Sequence, residues 1–568
     1  MRHRLLPFRS TNLAWALVGG LVAIIALVPI LFAVDSALRV QTPAGLGSEY
    51  TLANVESVLF SAQYTRALMR AVTLALVVTF LSTVVGVITA YLISRTDLPG
   101  KAVWDILILT PMFLSPFVGL VAWITLGSRE TGMINVFLRA VFPFLGDRFA
   151  LVDIWTWWGI VWVMFLTFCP FVYLFVQGPL RRMDSSLEEA ARMCGASHLS
   201  TITRITIPLM RPALVATILL IFVMAVEMYT IPGMIGPSFG YITLPWKIVA
   251  DATLYPIQRG NAAAAGIILL LITLVGMWLQ RRLTRKAERF VTVGGKGFRS
   301  APVKLGRLKW PALILCGAYV ALAVVLPFVS LTVSSFMRFS SSTLSADIFT
   351  AIHYREIFAR SDTFAGVMNS IYLSLAAGAL CLSIGFLISY GDIKGGNRTA
   401  RVLAVLGVLP IAVPGFVYSL GIMEMYVRTV LYGTAFVMLL AHVAKLLPYA
   451  ILVPRAGLLQ TSNDLEESAR TTGASWFRAF RLVTIPLLKP VLVAVFFFSA
   501  LNSMKELSAS VLLYSPRFPL LSVQTFHATQ SGDYQLGAAM SVVQTVIMLA
   551  IVVITRIVFR VRLEKGAI

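Results

Sequence analysis

The chain has 568 residues, 58% of them hydrophobic and only 13% charged, with a mean hydropathy of +0.85. That is more apolar surface than a water-soluble core needs, and it suits helices that each take about 20 apolar residues to cross about 30 Å of hydrocarbon. The formal net charge of +22 does not point to nucleic acid, because the basic residues gather in short segments between apolar runs and no binding motif with interleaved aromatics accompanies them.

The N-terminus begins Met1-Arg2-His3-Arg4 and continues into an apolar run at 13–34. The run is longer than a secretory signal core and no small-residue cleavage site follows it, so an uncleaved first span is expected. Further runs in the first half lie near 68–93, 104–126, 155–178, 208–235 and 262–280. In the second half they lie near 311–335, 367–390, 402–426, 430–454, 486–509 and 540–559, which makes twelve in all. The third carries Pro111 and Pro116 and the ninth Pro410 and Pro414; neighbouring helices in a bundle can satisfy the carbonyls a proline frees. Cys169, Cys194, Cys316 and Cys381 are scattered without metal-ligand or C-x-x-C spacing, so they read as small hydrophobes and not as a disulfide framework.

Lysine and arginine set the expected orientation. With the N-terminus in the cytoplasm, the inside segments hold 32 of these residues and the outside segments 12. Both termini are therefore expected inside. The densest basic stretch, 281–310, contains Gly294-Gly295-Lys296-Gly297 and reads as a cytoplasmic linker. The expected division is a six-span unit over 1–290, a basic linker over 291–310 and a second six-span unit over 311–568.

The two units repeat one another. Residues 188–212 (EEAARMCGASHLSTITRITIPLMRP) and 466–490 (EESARTTGASWFRAFRLVTIPLLKP) are identical at 12 of 25 positions, at a constant offset of 278. Pro111 matches Pro410 at an offset of 299, so the first unit carries about 21 extra residues, expected within 127–153. Six spans separate the copies, which puts both loops on one side of the membrane and relates the units by an axis along its normal. The fold class expected is an all-α polytopic membrane protein of two parallel six-helix repeats, about twelve spans.

Each loop reads as a short helix, a turn and a second helix. Ser185, Ser186, Asn463 and Asp464 suit helix starts. Glu188, Glu189, Glu466 and Glu467 fall in the first turn, where negative charge complements the helix dipole. Gly195 and Gly473 permit a positive-φ turn, and Pro208 and Pro486 open the next span. The bland alternative is a helix that only anchors the loop at the interface; two copies with matched spacing speak against it.

Glu189-Ala190-Ala191 with Gly195 and Pro208, and Glu467-Ser468-Ala469 with Gly473 and Pro486, follow the pattern EAA-x3-G-x9-I-x-L-P. This resembles the cytoplasmic loop of the permease subunits of binding-protein-dependent ABC importers, with both permease halves fused. The resemblance implies ATPase coupling at Glu188, Glu189, Ala190, Ala191, Gly195 and Pro208, and at Glu466, Glu467, Ser468, Ala469, Gly473 and Pro486. It also implies an inner-membrane location, two ABC ATPase subunits on the cytoplasmic side and a periplasmic substrate-binding protein. The likeness of the loops favours two copies of one ATPase, with Glu189 and Glu467 facing it. No G-x-x-x-x-G-K-[ST] loop occurs in the sequence, so ATP–Mg²⁺ is expected on the partner and no catalytic residue, resident metal or cofactor on this chain.

Charged residues at membrane depth are functional candidates. Glu227, Tyr229, Lys505 and Glu506 are expected at the translocation path or gate, with Glu227 matching Lys505 at the offset of 278. An internal Lys–Glu pair that fixes packing is the alternative. Glu424, His442 and Lys445 read as satisfied or snorkelling residues near span ends. The segment Met504-Lys505-Glu506-Leu507-Ser508-Ala509 resembles ferric-iron permeases, while polyamine, thiamine, phosphonate and sulfate permeases share the architecture. An ion-coupled secondary transporter also has twelve spans in two halves, but it would need no paired docking loops.

Overall fold

A computed structural model describes residues 12–42, 45–146, 148–183, 186–284, 302–341, 346–462 and 464–559. Ser185, Asn463, both extreme termini and the linker up to residue 301 lie outside the described residues. Among the described residues ten helices are long and apolar enough to cross a membrane: Trp15–Ala37, Ala62–Arg95, Trp157–Arg181, Ile202–Phe239, Arg259–Leu283, Gly306–Ser335, Ser361–Ile393, Ala435–Gln460, Trp476–Met504 and Tyr534–Ile554.

The expected third and ninth spans are not straight. Lys101–Phe113 and Pro116–Gly127 meet at 97°, and Arg398–Ala412 and Gly415–Tyr426 at 109°. The sequence explains both breaks. Each N-terminal arm ends in a 3₁₀ turn, Thr110–Phe113 or Leu409–Ala412, and extended residues follow it. Pro116 lies in the first turn of one C-terminal arm, with the Ser115 hydroxyl accepting from Phe117 N–H, and Pro414 is the N-cap of the other. Proline suits a helix start and disfavours a helical residue before it. The 21 additional residues of the first half fall between Gly127 and Trp157, where the helix Met133–Val141 forms.

Among the described residues four π turns interrupt other spans, at Ala23–Leu27, Ile202–Thr206, Ala321–Val325 and Phe480–Thr484. Each ends two residues before a proline: Pro29, Pro208, Pro327 or Pro486. A proline lacks the N–H that would bind the carbonyl four residues back and crowds that carbonyl. The preceding turn widens to accommodate it.

The first span of each half packs across the molecule. Pro29 lies so close to the broken ninth span that a Cβ on Gly421 would sit 1.9 Å from the Pro29 carbonyl oxygen. On the other side the Ser330 hydroxyl donates to the Ala122 carbonyl at 3.3 Å, joining the seventh span to the broken third. Ala122 and Gly421 are equivalent positions at the offset of 299.

Gly421→Val should therefore overpack this crossing and lower stability by roughly 1–3 kcal/mol. Gly20→Val should cost little, since no atom lies within 4 Å of its Cβ position. Thermal unfolding in detergent checks the pair.

Candidate functional site: paired loops and a charged centre

Each expected coupling loop is one helix closed by glycine and a second helix continuous with a span. The first helices are Ser186–Met193 and Asp464–Thr471. Ala196 N–H bonds the Ala191 carbonyl at 3.0 Å, and Ala474 N–H bonds Ala469 at 3.0 Å. These are the bonds that end a helix when the residue between adopts a left-handed conformation, and Gly195 and Gly473 have φ of 85° and 94°. The hydroxyls of Ser197 and Ser475 then accept from Ser200 N–H and Arg478 N–H, each at 3.3 Å, starting the second helix. That helix runs through the π turn into Ile207–Val226 or Ile485–Met504 without a gap.

The loop glutamates divide into two roles. Glu189 and Glu467 are exposed, as expected of residues that face a partner, and so are Ala190 and Ser468; Ala191 and Ala469 are half-buried. Glu188 and Glu466 turn inward and are 4% and 7% exposed. Thr206 donates to Glu188 Oε1 at 2.7 Å, and Thr484 donates to Glu466 Oε2 at 3.1 Å. Their other oxygens reach the end of the second span of the same half. Arg95 Nη2 stands 3.5 Å from Glu188, and Tyr390 Oη donates to Glu466 Oε1 at 2.5 Å. Trp476 Nε1 donates to the same Tyr390 hydroxyl at 3.1 Å. Each buried carboxylate therefore fastens its loop helix to two spans at once.

Lys394, equivalent to Arg95, donates to the Thr461 carbonyl at 2.9 Å, and burial pulls its ammonium below the ordinary lysine pKa. Beside the first loop, Val303 N–H bonds the Arg95 carbonyl at 2.8 Å and Leu305 N–H bonds Asp97 Oδ1 at 2.9 Å. The Leu305 amide holds the Asp97 carboxyl below its usual range. The chain leading into the second half is thus laid along the end of the second span.

The charged centre brings Lys445, read as a residue near a span end, against the path candidate Glu506. Lys445 Nζ bonds Glu506 Oε2 at 2.6 Å, and Glu506 Oε1 also accepts from Ala509 N–H at 3.1 Å. Lys445 is ten residues into the span Ala435–Gln460, about 15 Å along the helix, and not at its end. Its side chain is 39% exposed, against 12% for Glu506. Lys505 Nζ donates to the Met112 carbonyl at 2.9 Å, at the break of the third span. A helix leaves its last carbonyls without internal partners and favours a cation near them. Lys445 lies beside the other break, its Nζ 3.0 Å from where a Cβ on Gly415 would stand.

Glu227 caps the C-terminus of Ile207–Val226 and lies within electrostatic reach of Lys445 and Glu506. Among the described residues its carboxylate makes no hydrogen bond or ion pair. Tyr229 is buried, packed against Gly233 with its ring 6.4 Å from Phe526, whose ring is 5.7 Å from Phe117. His442 is held by the hydroxyls of Ser503 and Ser510 at 2.7 and 3.0 Å, which satisfies it. Glu424 pairs with Arg259 at 3.4 Å.

The chain matches the family described as binding-protein-dependent transport system inner membrane component over residues 82–289 and again over 381–563. It belongs to that family. Among its relatives, the ferric transport system permease protein FbpB of Actinobacillus pleuropneumoniae is 26% identical over 89% of this chain and 73% of its own. The Fe(3+)-transport system permease protein FbpB 2 of Haemophilus influenzae is 25% identical over 86% of this chain and 88% of its own. A relative named for 2-aminoethylphosphonate transport, PhnV of Salmonella paratyphi A, is 32% identical over 32% of this chain and 70% of its own. The chain is thus a multi-pass inner-membrane permease subunit of an ABC importer, a family that works with an ATPase and a binding protein.

Two predictions follow from the geometry. Glu188→Ala strands the buried Arg95 guanidinium and should cost roughly 3–5 kcal/mol. Glu466→Ala takes the acceptor from two neutral hydroxyls, while Lys394 keeps its bond to the Thr461 carbonyl, and should cost about 1–3 kcal/mol. Thermal unfolding should rank them in that order. In the centre, Lys445→Met should lower the melting temperature more than Glu227→Gln, because Lys445 holds Glu506 whereas Glu227 holds no partner.

Proposed function

We propose that this permease carries ferric iron from a periplasmic binding protein to the cytoplasm by alternating access. The observation that carries the mechanism is the duplicated clamp, a buried glutamate joining each loop helix to two spans. In this reading two copies of one ATPase, which bind ATP–Mg²⁺, dock on Ser186–Met193 and Asp464–Thr471. Glu189, Ala190, Ser468 and Glu467 meet them. The loops and both termini then lie in the cytoplasm, in keeping with the distribution of lysine and arginine. When the ATPases close, each loop moves as a body and takes its span with it, through Pro208 or Pro486. Glu227, Lys505 and Glu506 form the gate, joined by Lys445, with Lys505 at one break and Lys445 beside the other. The ferric assignment is supported by relatives named for ferric transport that align with most of the chain.

The test is transport in proteoliposomes holding the permease, its ATPase and the loaded binding protein. Radioactive ferric iron should be taken up on ATP addition, and uptake of 2-aminoethylphosphonate in its place would overturn the iron assignment. Gly195 and Gly473 have open space where a Cβ would stand, so Gly195→Val with Gly473→Val strains only the backbone, at roughly 1–3 kcal/mol each. The double variant should insert but lose uptake and the stimulation of ATP hydrolysis. Wild-type assembly and uptake together would refute coupling through the loops.

A further inference from the structure

The second span has a second feature at the end away from its loop. Between Arg70 and Arg95 it holds 24 residues without a charge. They rise about 36 Å, enough to cross the hydrocarbon. Arg95 meets the coupling loop, so Arg66 and Arg70 lie at headgroup level on the opposite face. There a cavity of about 450 Å³ opens between the start of this span and the helix Leu244–Thr253, lined by Arg66, Arg70, Trp246, Lys247, Leu254 and Tyr255 among others.

The cavity carries three cations and one carboxylate, Asp251. That carboxylate is already engaged by Lys247 at 2.5 Å and by the Tyr64 hydroxyl at 2.6 Å. Among the described residues Arg66 bonds only the Ala62 carbonyl of its own helix, at 3.1 Å. Arg70 donates to the Gly240 carbonyl at 2.8 Å and stacks on Tyr241. Among the described residues neither arginine pairs with a carboxylate.

The second half shows what the fold alone requires. Asn369 is equivalent to Arg70, and its amide donates at 3.0 Å to the Pro519 carbonyl, just before the equivalent helix Leu521–Gln530. The tie between the elements is thus kept by a neutral side chain. Ala365 occupies the place of Arg66 and Gln524, fourth in its helix, that of Lys247. The same architecture forms without the cations, so their presence in the first half answers to something outside the fold. Leu254 and Tyr255, 56% and 96% exposed, give the mouth an apolar shoulder at the depth where aromatic residues meet the membrane interface.

We propose that this cavity binds an anionic phospholipid in the leaflet opposite the coupling loops. Arg66, Arg70 and Lys247 hold the headgroup phosphate, and Leu254 and Tyr255 carry the start of an acyl chain. The cations draw a net-negative headgroup more strongly than a zwitterionic one, and the arginines offer the planar fork that suits a phosphate.

Native mass spectrometry of the full chain released from detergent, titrated with phosphatidylglycerol, phosphatidylcholine or inorganic phosphate, tests this. One phosphatidylglycerol should remain bound preferentially, and Arg66→Gln with Arg70→Asn should weaken it roughly tenfold. Arg70→Asn copies the bond the second half makes. Arg66→Gln alone, at a side chain that bonds only its own helix, gives a smaller loss should the double variant not fold. Equal retention of phosphatidylcholine, or unchanged phosphatidylglycerol binding in the variants, would overturn the proposal. Phosphate retained as well as lipid would assign the cavity to a free oxyanion instead.

Discussion

A carboxylate buried at a membrane surface is costly unless every oxygen finds a partner, and the paired loops here rest on two that do. Glu188 and Glu466 lie in the first turn of their loop helices. Each takes a threonine hydroxyl from the turn that leads into the next span and a second group from the end of the second span of its half. The loop cannot shift along either span without leaving a buried charge unpaired. The exposed neighbours, Glu189 and Glu467, are left free for an external surface. One residue in each loop is thus structural and the next is available, and the helical period decides which.

Proline placement does the complementary work inside the membrane. At Pro29, Pro208, Pro327 and Pro486 the helix widens to a π turn and continues, whereas Pro170, Pro179, Pro212, Pro448, Pro454 and Pro490 sit within α-helix. Where proline stands at the start of the second arm of the third or ninth span, the span breaks by 97° or 109°. The breaks expose carbonyls at membrane depth, and lysines from the second half approach them. Lys505 binds the Met112 carbonyl, and Lys445 sits beside Gly415 while holding Glu506. The centre is asymmetric although the backbone is repeated: Glu227 occupies in one half the place Lys505 occupies in the other.

Much of this was legible in the sequence. The repeat at the offset of 278 located both loops, the two turn glycines and the prolines, and the shift from 299 to 278 located the additional segment. Even the clamp left a trace, since Thr206 and Thr484 are among the identical positions and Tyr390 has its equivalent in Tyr91. The broken spans were not read, because hydropathy averages over a window and is blind to a turn inside an apolar run. Lys445 was read as satisfied near a span end; it is satisfied by Glu506, but its span runs on to Gln460, six residues past the end set by the apolar run, which leaves it well inside. Which carboxylate pairs with which lysine depends on packing between segments about sixty residues apart, and no local pattern encodes it.

The account stands on the loop and its span moving as one body. Spin labels at Thr472 on the second loop and at Leu487 on the span it enters, both exposed, measure this in the assembled transporter with its ATPase. A third label at Cys194, the exposed native cysteine on the first loop, gives the separation of the loops. On ATP binding the distance from 472 to 487 should stay fixed while that from 194 to 472 changes. A change in the distance from 472 to 487 with the loop separation unaltered would contradict rigid coupling through the buried glutamates.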